Sequence, residues 1–174
     1  MLTKSSLAWG SALIVTATAS AAQAGQLTLD VALPQQNVAE YHKPYVAGWI
    51  EDGTGKVSQT LFVWYDVKKR DGGGEKYLKD LRTWWRKAGR DTAMPVDGVS
   101  GATRAPGRQT LSLDTATALK NLPAGQYSLV VEAAREAGGH DLVKLPIDWN
   151  PAKGSAAAGK GDGELGDIKA NYKP

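Results

Sequence analysis

The segment Asp97-Gly98-Val99-Ser100-Gly101-Ala102-Thr103 gathers one carboxylate and two hydroxyls on a backbone rich in small residues. Pro95 precedes it and Pro106-Gly107 follows, so an exposed loop between a helix and the next strand is expected. A carboxylate there has the chemistry to bind a cation or accept a proton. The same composition also describes an ordinary surface turn, because loops are commonly built from such residues.

Other polar groups offer less. Glu132, Glu136, His140 and Asp141 are metal-ligand types, but their spacing matches no standard site and they read as solvated polar residues. No Ser-His-Asp arrangement, paired catalytic carboxylates or phosphate loop is visible. The sequence has no cysteine, which excludes disulfides, iron–sulfur clusters, thiolate zinc sites and Cys-x-x-Cys-His haem attachment. Lys plus Arg number 21 against 18 acidic residues, and the net charge of +3 is too mild to argue for a nucleic-acid partner. Six tryptophans accompany one phenylalanine; amphipathic indole rings suit either a planar ligand or an aromatic-rich core.

The elements that must position the segment are mostly strands. Gln26 to Leu33 alternates, with Leu27, Leu29, Val31 and Leu33 on one face, as a half-buried strand does. Tyr45 to Glu51 is a second strand, ended by Asp52-Gly53-Thr54-Gly55. Thr60 to Val67 is apolar on both faces and belongs at the centre of a sheet. Leu78, Leu81, Trp85 and Ala88 then recur at helical spacing, which predicts one amphipathic helix from Tyr77 to Ala88, stopped by Gly89. Trp84 and Trp85 cannot face the same way, and the spacing puts Trp85 in the core and Trp84 nearer the surface. Further strands are expected at Thr110 to Leu113, Gln126 to Ala134, Leu142 to Trp149 and Leu165 to Tyr172, with Gly154 to Gly163 as a small-residue loop. Pro146 argues for an edge position or a bulge. The expectation is an all-β fold, an immunoglobulin-like antiparallel β-sandwich with one inserted α-helix, formed by a single domain over 25–174.

Met1 to Ala24 has a basic start at Lys4, an apolar stretch from Leu7 to Ala19 and a small-x-small ending at Ala22-Gln23-Ala24. This is the pattern of a secretory signal peptide, with the mature chain starting near Gly25. The stretch falls short of the about 18 apolar residues of a membrane span, and no second apolar run follows. A periplasmic protein that does not itself span the membrane is expected.

The order Asp97-x-x-Ser100-Gly101-Ala102-Thr103 resembles the acceptor motif of periplasmic flavin transferases, the ApbE family. Those enzymes split FAD with the help of Mg²⁺ and join FMN to a threonine hydroxyl through a phosphoester. The resemblance implies covalent FMN on Thr103, with Ser100, Gly101 and Ala102 as the thin approach to it. Gly101 and Ala102 leave no bulk before the acceptor, and Gly101 can take positive φ if docking requires it. Asp97 would assist the metal or accept the threonine proton, and the sequence does not decide between these roles. Trp84 would stack on the isoalloxazine ring, although packing alone accounts equally for either tryptophan. Arg82, Arg86, Arg104 and Arg108 would balance the phosphodiester, or simply form a solvated basic face. The signal lacks a twin-arginine pair, so export precedes folding, and a covalent tether then prevents loss of the cofactor by dilution.

A looser resemblance covers almost all of the mature chain. Tyr45 to Asp52, Tyr77 to Trp85, Ser100 to Gly107 and Pro123 to Arg135 are similar to a predicted periplasmic family, domain of unknown function 2271. Its members tend to be encoded beside PepSY-type membrane reductases and flavin transferases. The resemblance implies electron transfer across the cell envelope, with a PepSY-type membrane reductase as partner and iron reduction as one outlet. The classical FMN-binding domain with this acceptor motif has a different fold, so its other flavin contacts do not carry over. Two other readings stand beside the redox carrier: a non-redox immunoglobulin-like interaction module, and a direct periplasmic reductase of a small substrate.

Overall fold

The alternation that begins at Gln26 is a strand, and eight more follow it. In this computed structural model, which describes residues 25–174, they are β1 (Gln26–Leu33), β2 (Tyr45–Glu51), β3 (Val57–Tyr65), β4 (Ser100–Ala102), β5 (Gly107–Asp114), β6 (Gly125–Ala134), β7 (His140–Trp149), β8 (Ser155–Lys160) and β9 (Asp167–Lys173). The expected signal peptide, 1–24, lies outside the described residues. Two sheets form, ordered β5-β1-β9-β8 and β4-β3-β2-β6-β7. The fold is an all-β sandwich, antiparallel except where β4 runs parallel to β3.

The core between the sheets follows from side-chain alternation. Leu27, Leu29, Val31 and Leu33 of β1 meet Val46, Ile50, Phe62, Trp64, Leu129 and Val131 from the five-stranded sheet. The Phe62 and Trp64 rings lie 4.5 Å apart, and Trp149 and Tyr172 are 4.7 Å apart. Strand β3 is apolar on both faces because its other residues, Val63 and Tyr65, enter a second cluster on the outer face of the same sheet. Ala47, Trp49 and Val130 join them, and Leu78, Leu81 and Trp84 cover them.

Three departures from the sequence reading have physical reasons. The helix expected over Tyr77 to Ala88 is divided into a 3₁₀ turn (Glu75–Asp80), a short helix α1 (Arg82–Lys87) and a second 3₁₀ turn (Gly89–Asp91). The break falls at Leu81, whose φ of −75° and ψ of 71° are not helical. Beyond it, the buried Glu132 of β6 accepts the first N–H groups of α1, from Thr83 and Trp84, both at 2.8 Å. A carboxylate on orphan N–H groups fixes a helix start where the tertiary structure supplies it. Secondly, the stretch expected to be a small-residue loop forms β8 against β9. There the room is set by neighbours: a Cβ at Gly159 would come within 2.4 Å of Leu145 Cδ2. Thirdly, the segment expected to be a free loop at 97–103 contains β4, so it is partly built into a sheet edge. Strand β7 with Pro146 lies at the opposite edge of that sheet, as its proline requires.

Candidate functional site

Thr103 follows directly on β4, and its N–H donates to Tyr65 O at 3.1 Å. Upstream, the Val96 N–H donates to Ser100 Oγ and the Ser100 N–H donates to Val96 O, both at 2.9 Å. This closes the turn that carries Asp97 and Gly98. Gly98 has a φ of 73°, a left-handed backbone that glycine adopts at no steric cost. Gly101 answers a different need. A Cβ there would sit 3.2 Å from Trp64 Cδ1, so the absence of a side chain lets β4 lie against the indole. Arg104 then crosses the strand end, its guanidinium 5.3 Å from the Trp64 ring centre in cation–π geometry. Ser100, Gly101 and Arg104 therefore each have a structural task at the sheet edge.

Register brings the ends of four strands together around Thr103. Tyr45 pairs with Ala134 across β2 and β6, and Tyr65 pairs with Ala102 across β3 and β4. An open cleft of about 280 Å³ lies at this end of the sheet, and Thr103 is one of its lining residues. Tyr41 and Tyr45 supply aromatic rings from the approach to β2, and Tyr77 supplies a third from the 3₁₀ turn. Lys43 and Lys69 bring positive charge, while Asp66, Asp80 and Glu136 bring negative charge. Lys69 Nζ stands 4.8 Å above the Tyr77 ring. His42 lies between Glu40, at 3.5 Å, and Glu136, at 3.8 Å.

Tyr41, Tyr45 and Tyr65 have hydroxyls held above the ordinary tyrosine value. Burial raises the Tyr41 hydroxyl, and the nearby Glu164 adds to this against an opposing effect of Arg135. Burial also raises Tyr45, and it raises Tyr65 against a hydrogen bond with Ser100. The Tyr41 hydroxyl oxygen is buried without a hydrogen-bond partner. Glu164 and Arg135, the charges that act on it, do not line the cleft.

The residues named from sequence separate into two places. Thr103 and Arg104 stand at the cleft end of β4. Asp97 does not: it is exposed and lines a different cleft with Thr60, Ser112 and Thr117. An extended run rises about 3.3 Å per residue, so Ser100 to Thr103 alone spans about 10 Å, with the Asp97 turn beyond it. In the folded chain the Asp97 carboxylate is out of reach of the Thr103 hydroxyl.

Trp84 is a correction. It is 1% exposed, packs in the outer cluster and donates from Nε1 to Thr60 Oγ1 at 3.3 Å, so it has no free face for stacking. Trp85 is the half-buried member of the pair. The break at Leu81 reset the helical phase, which reverses the expected orientation. Arg108 sits 3.9 Å from Asp30, on the other sheet. Glu132 and His140 do meet, at 2.6 Å, but Glu132 is committed to α1 and Asp141 Oδ2 is committed to the backbone of Asp162, Gly163 and Leu165. Among the described residues no cluster of metal-ligating side chains is present.

Sequence reasoning missed Tyr41, Tyr45, Tyr77 and Lys69. They come from three stretches of chain, and only strand register makes them neighbours.

Together the fold and cleft define a two-sheet β-sandwich that presents a short edge strand, followed by a threonine, beside a hollow with three tyrosines in its wall. The family model described as predicted periplasmic protein (DUF2271) matches residues 26–167, and the chain belongs to that family. No helix among the described residues is long and apolar enough to cross a membrane. No curated protein and no solved structure matches the chain.

Proposed function

We propose that this protein is an exported flavoprotein that carries FMN in phosphoester linkage on Thr103 and passes electrons outside the cytoplasm. The observation that carries the reading is the position of the acceptor-like threonine. It follows a three-residue edge strand, next to a cleft with three tyrosines. Planar aromatic walls suit a flat heterocycle. The flavin, once attached, supplies the electron transfer, and the protein supplies position and environment.

The attachment balances as a phosphoryl transfer. Thr103 Oγ1 bonds to the FMN phosphorus of FAD, the pyrophosphate bond breaks, AMP leaves and the hydroxyl proton passes to a base. The modifying partner is a Mg²⁺-dependent flavin transferase, and the redox partner is a PepSY-type membrane reductase. Arg104, next to the acceptor, has guanidinium donors to set against the phosphodiester charge. Asp97 reaches the reacting atoms only if the transferase draws the segment off the sheet edge.

The test is co-expression with a flavin transferase, followed by a denaturing gel viewed under ultraviolet light and intact-mass measurement. The parent chain should fluoresce and gain one FMN less a water. Thr103→Val keeps the shape and loses the nucleophilic oxygen, so it should fold, stay dark and show no mass change. A bright Thr103→Val band would move the flavin elsewhere. A dark parent with active transferase and FAD would leave a non-redox interaction module.

A further inference from the structure

We infer that the cleft beside Thr103 is the seat of the isoalloxazine ring itself, with Tyr77 as its wall and Lys69 as the cation over that wall; this rests on the attachment proposed above. Trp84 is buried, and neither it nor the half-buried Trp85 of α1 lines the cleft. The cleft instead offers Tyr41, Tyr45 and Tyr77, with Tyr77 38% exposed and Lys69 over one face of its ring.

Size and charge decide which part of the cofactor enters. Pockets that enclose a drug-sized ligand hold about 300–1,000 Å³, whereas this one holds about 280 Å³ and is open. It suits a flat ring and not a ring with its ribityl phosphate. Asp66, Asp80 and Glu136 outnumber Lys43 and Lys69 in its lining, so the net charge there does not favour a phosphate within. The phosphodiester therefore stays outside, on Thr103 beside Arg104, while the ring lies in the hollow.

A shallow cleft binds weakly, but a tether changes what is needed. A short flexible link supplies a local concentration in the millimolar range, enough to fill a weak site most of the time. On this account the chain has a small site because it has a covalent anchor. Free FMN would bind the cleft poorly.

Flavin emission in the loaded protein is the measurement, because electron-rich phenol rings in contact with the ring quench it. Parent protein loaded by a flavin transferase should be dimmer folded than unfolded. Tyr77→Leu changes an exposed position, so it should fold and load to the same intact mass, yet emit more brightly in the folded state than the parent does. A loaded parent that is equally bright folded and unfolded overturns the inference, as does a folded, loaded Tyr77→Leu protein as dim as the parent. In those cases the mass shift on Thr103 persists and the attachment stands. No mass shift on the parent, or one retained in Thr103→Val, overturns both.

Discussion

Thr103 and Trp84 mark the two ways a residue can matter here. Loss of the Thr103 hydroxyl is expected to abolish loading with little effect on the fold, because the side chain is only half-buried at a strand end. Trp84→Ala is expected to do the reverse. It removes one of the two fully buried indoles of the outer cluster and should cost about 3–5 kcal/mol, measured by chemical denaturation. The part of the protein that remains folded should still load on Thr103. A Trp84→Ala protein of unchanged stability would contradict its burial. Thr103→Ser keeps an oxygen and drops the methyl group, so slow loading or none is expected from it.

At the scale of elements, α1 is tied to the sheet by buried carboxylates more than by its own length. Glu132 holds its start, and Glu51 holds its end by accepting from Lys87. Glu51, 3% exposed, also accepts from Trp49 Nε1 at 2.9 Å and Lys144 Nζ at 3.0 Å. Burial alone would raise its pKa, but the hydrogen bonds from Lys87, Trp49 and Lys144 outweigh burial and hold it below the ordinary value. A depressed carboxyl stabilises the fold above its unfolded value, about 4.3, and that stability is lost as pH falls through the folded value. Glu51→Gln should therefore flatten the acid limb of the stability profile. At neutral pH it should cost about 1–3 kcal/mol, read from urea midpoints, because two lysines lose their charged acceptor. Equal acid sensitivity in variant and parent would assign the acid limb to other groups.

The strands with clean alternation, such as Gln26 to Leu33, were legible because one buried face fixes both type and register. The doubly apolar β3 was legible for the same reason, with a core on each side. Strand β8 was not, since alanine and glycine announce no strand and only the pairing with β9 makes one. The phase of α1 was not legible either, because a cap contributed 48 residues away leaves no local mark. Of the cleft's lining, Thr103 stood in a segment that the sequence singled out, whereas the tyrosines carried no such mark.

For the whole molecule, the start of the sandwich bears on export. The Gly25 carbonyl accepts from the Thr115 N–H at 2.9 Å and from its hydroxyl at 2.7 Å. A Cβ at Gly25 would lie 2.4 Å from the Tyr172 hydroxyl. The first residue after the expected cleavage point is thus already fixed to two other parts of the chain. Processing is expected between Ala24 and Gly25, before those contacts form, and N-terminal sequencing of periplasmic material checks it. A mature form that retains 1–24 would contradict the signal peptide.

The shortness of β4 has a bearing on how the chain is handled by another protein. Three residues on a sheet edge share a few hydrogen bonds with β3, far fewer than any strand around them. Edge segments of this kind open locally at a fraction of the free energy of global unfolding. On the proposed function, the strand would behave like a tear-off tab on a rigid card: it would lift, be read in extended form by a modifying enzyme, and close again with the sandwich undisturbed. Lifting would also loosen Arg104 from Trp64 and free Asp97 from its turn, so groups held apart in the closed form could meet only while a partner grips the tab. The closed form would keep the threonine in place after the modifying enzyme has gone.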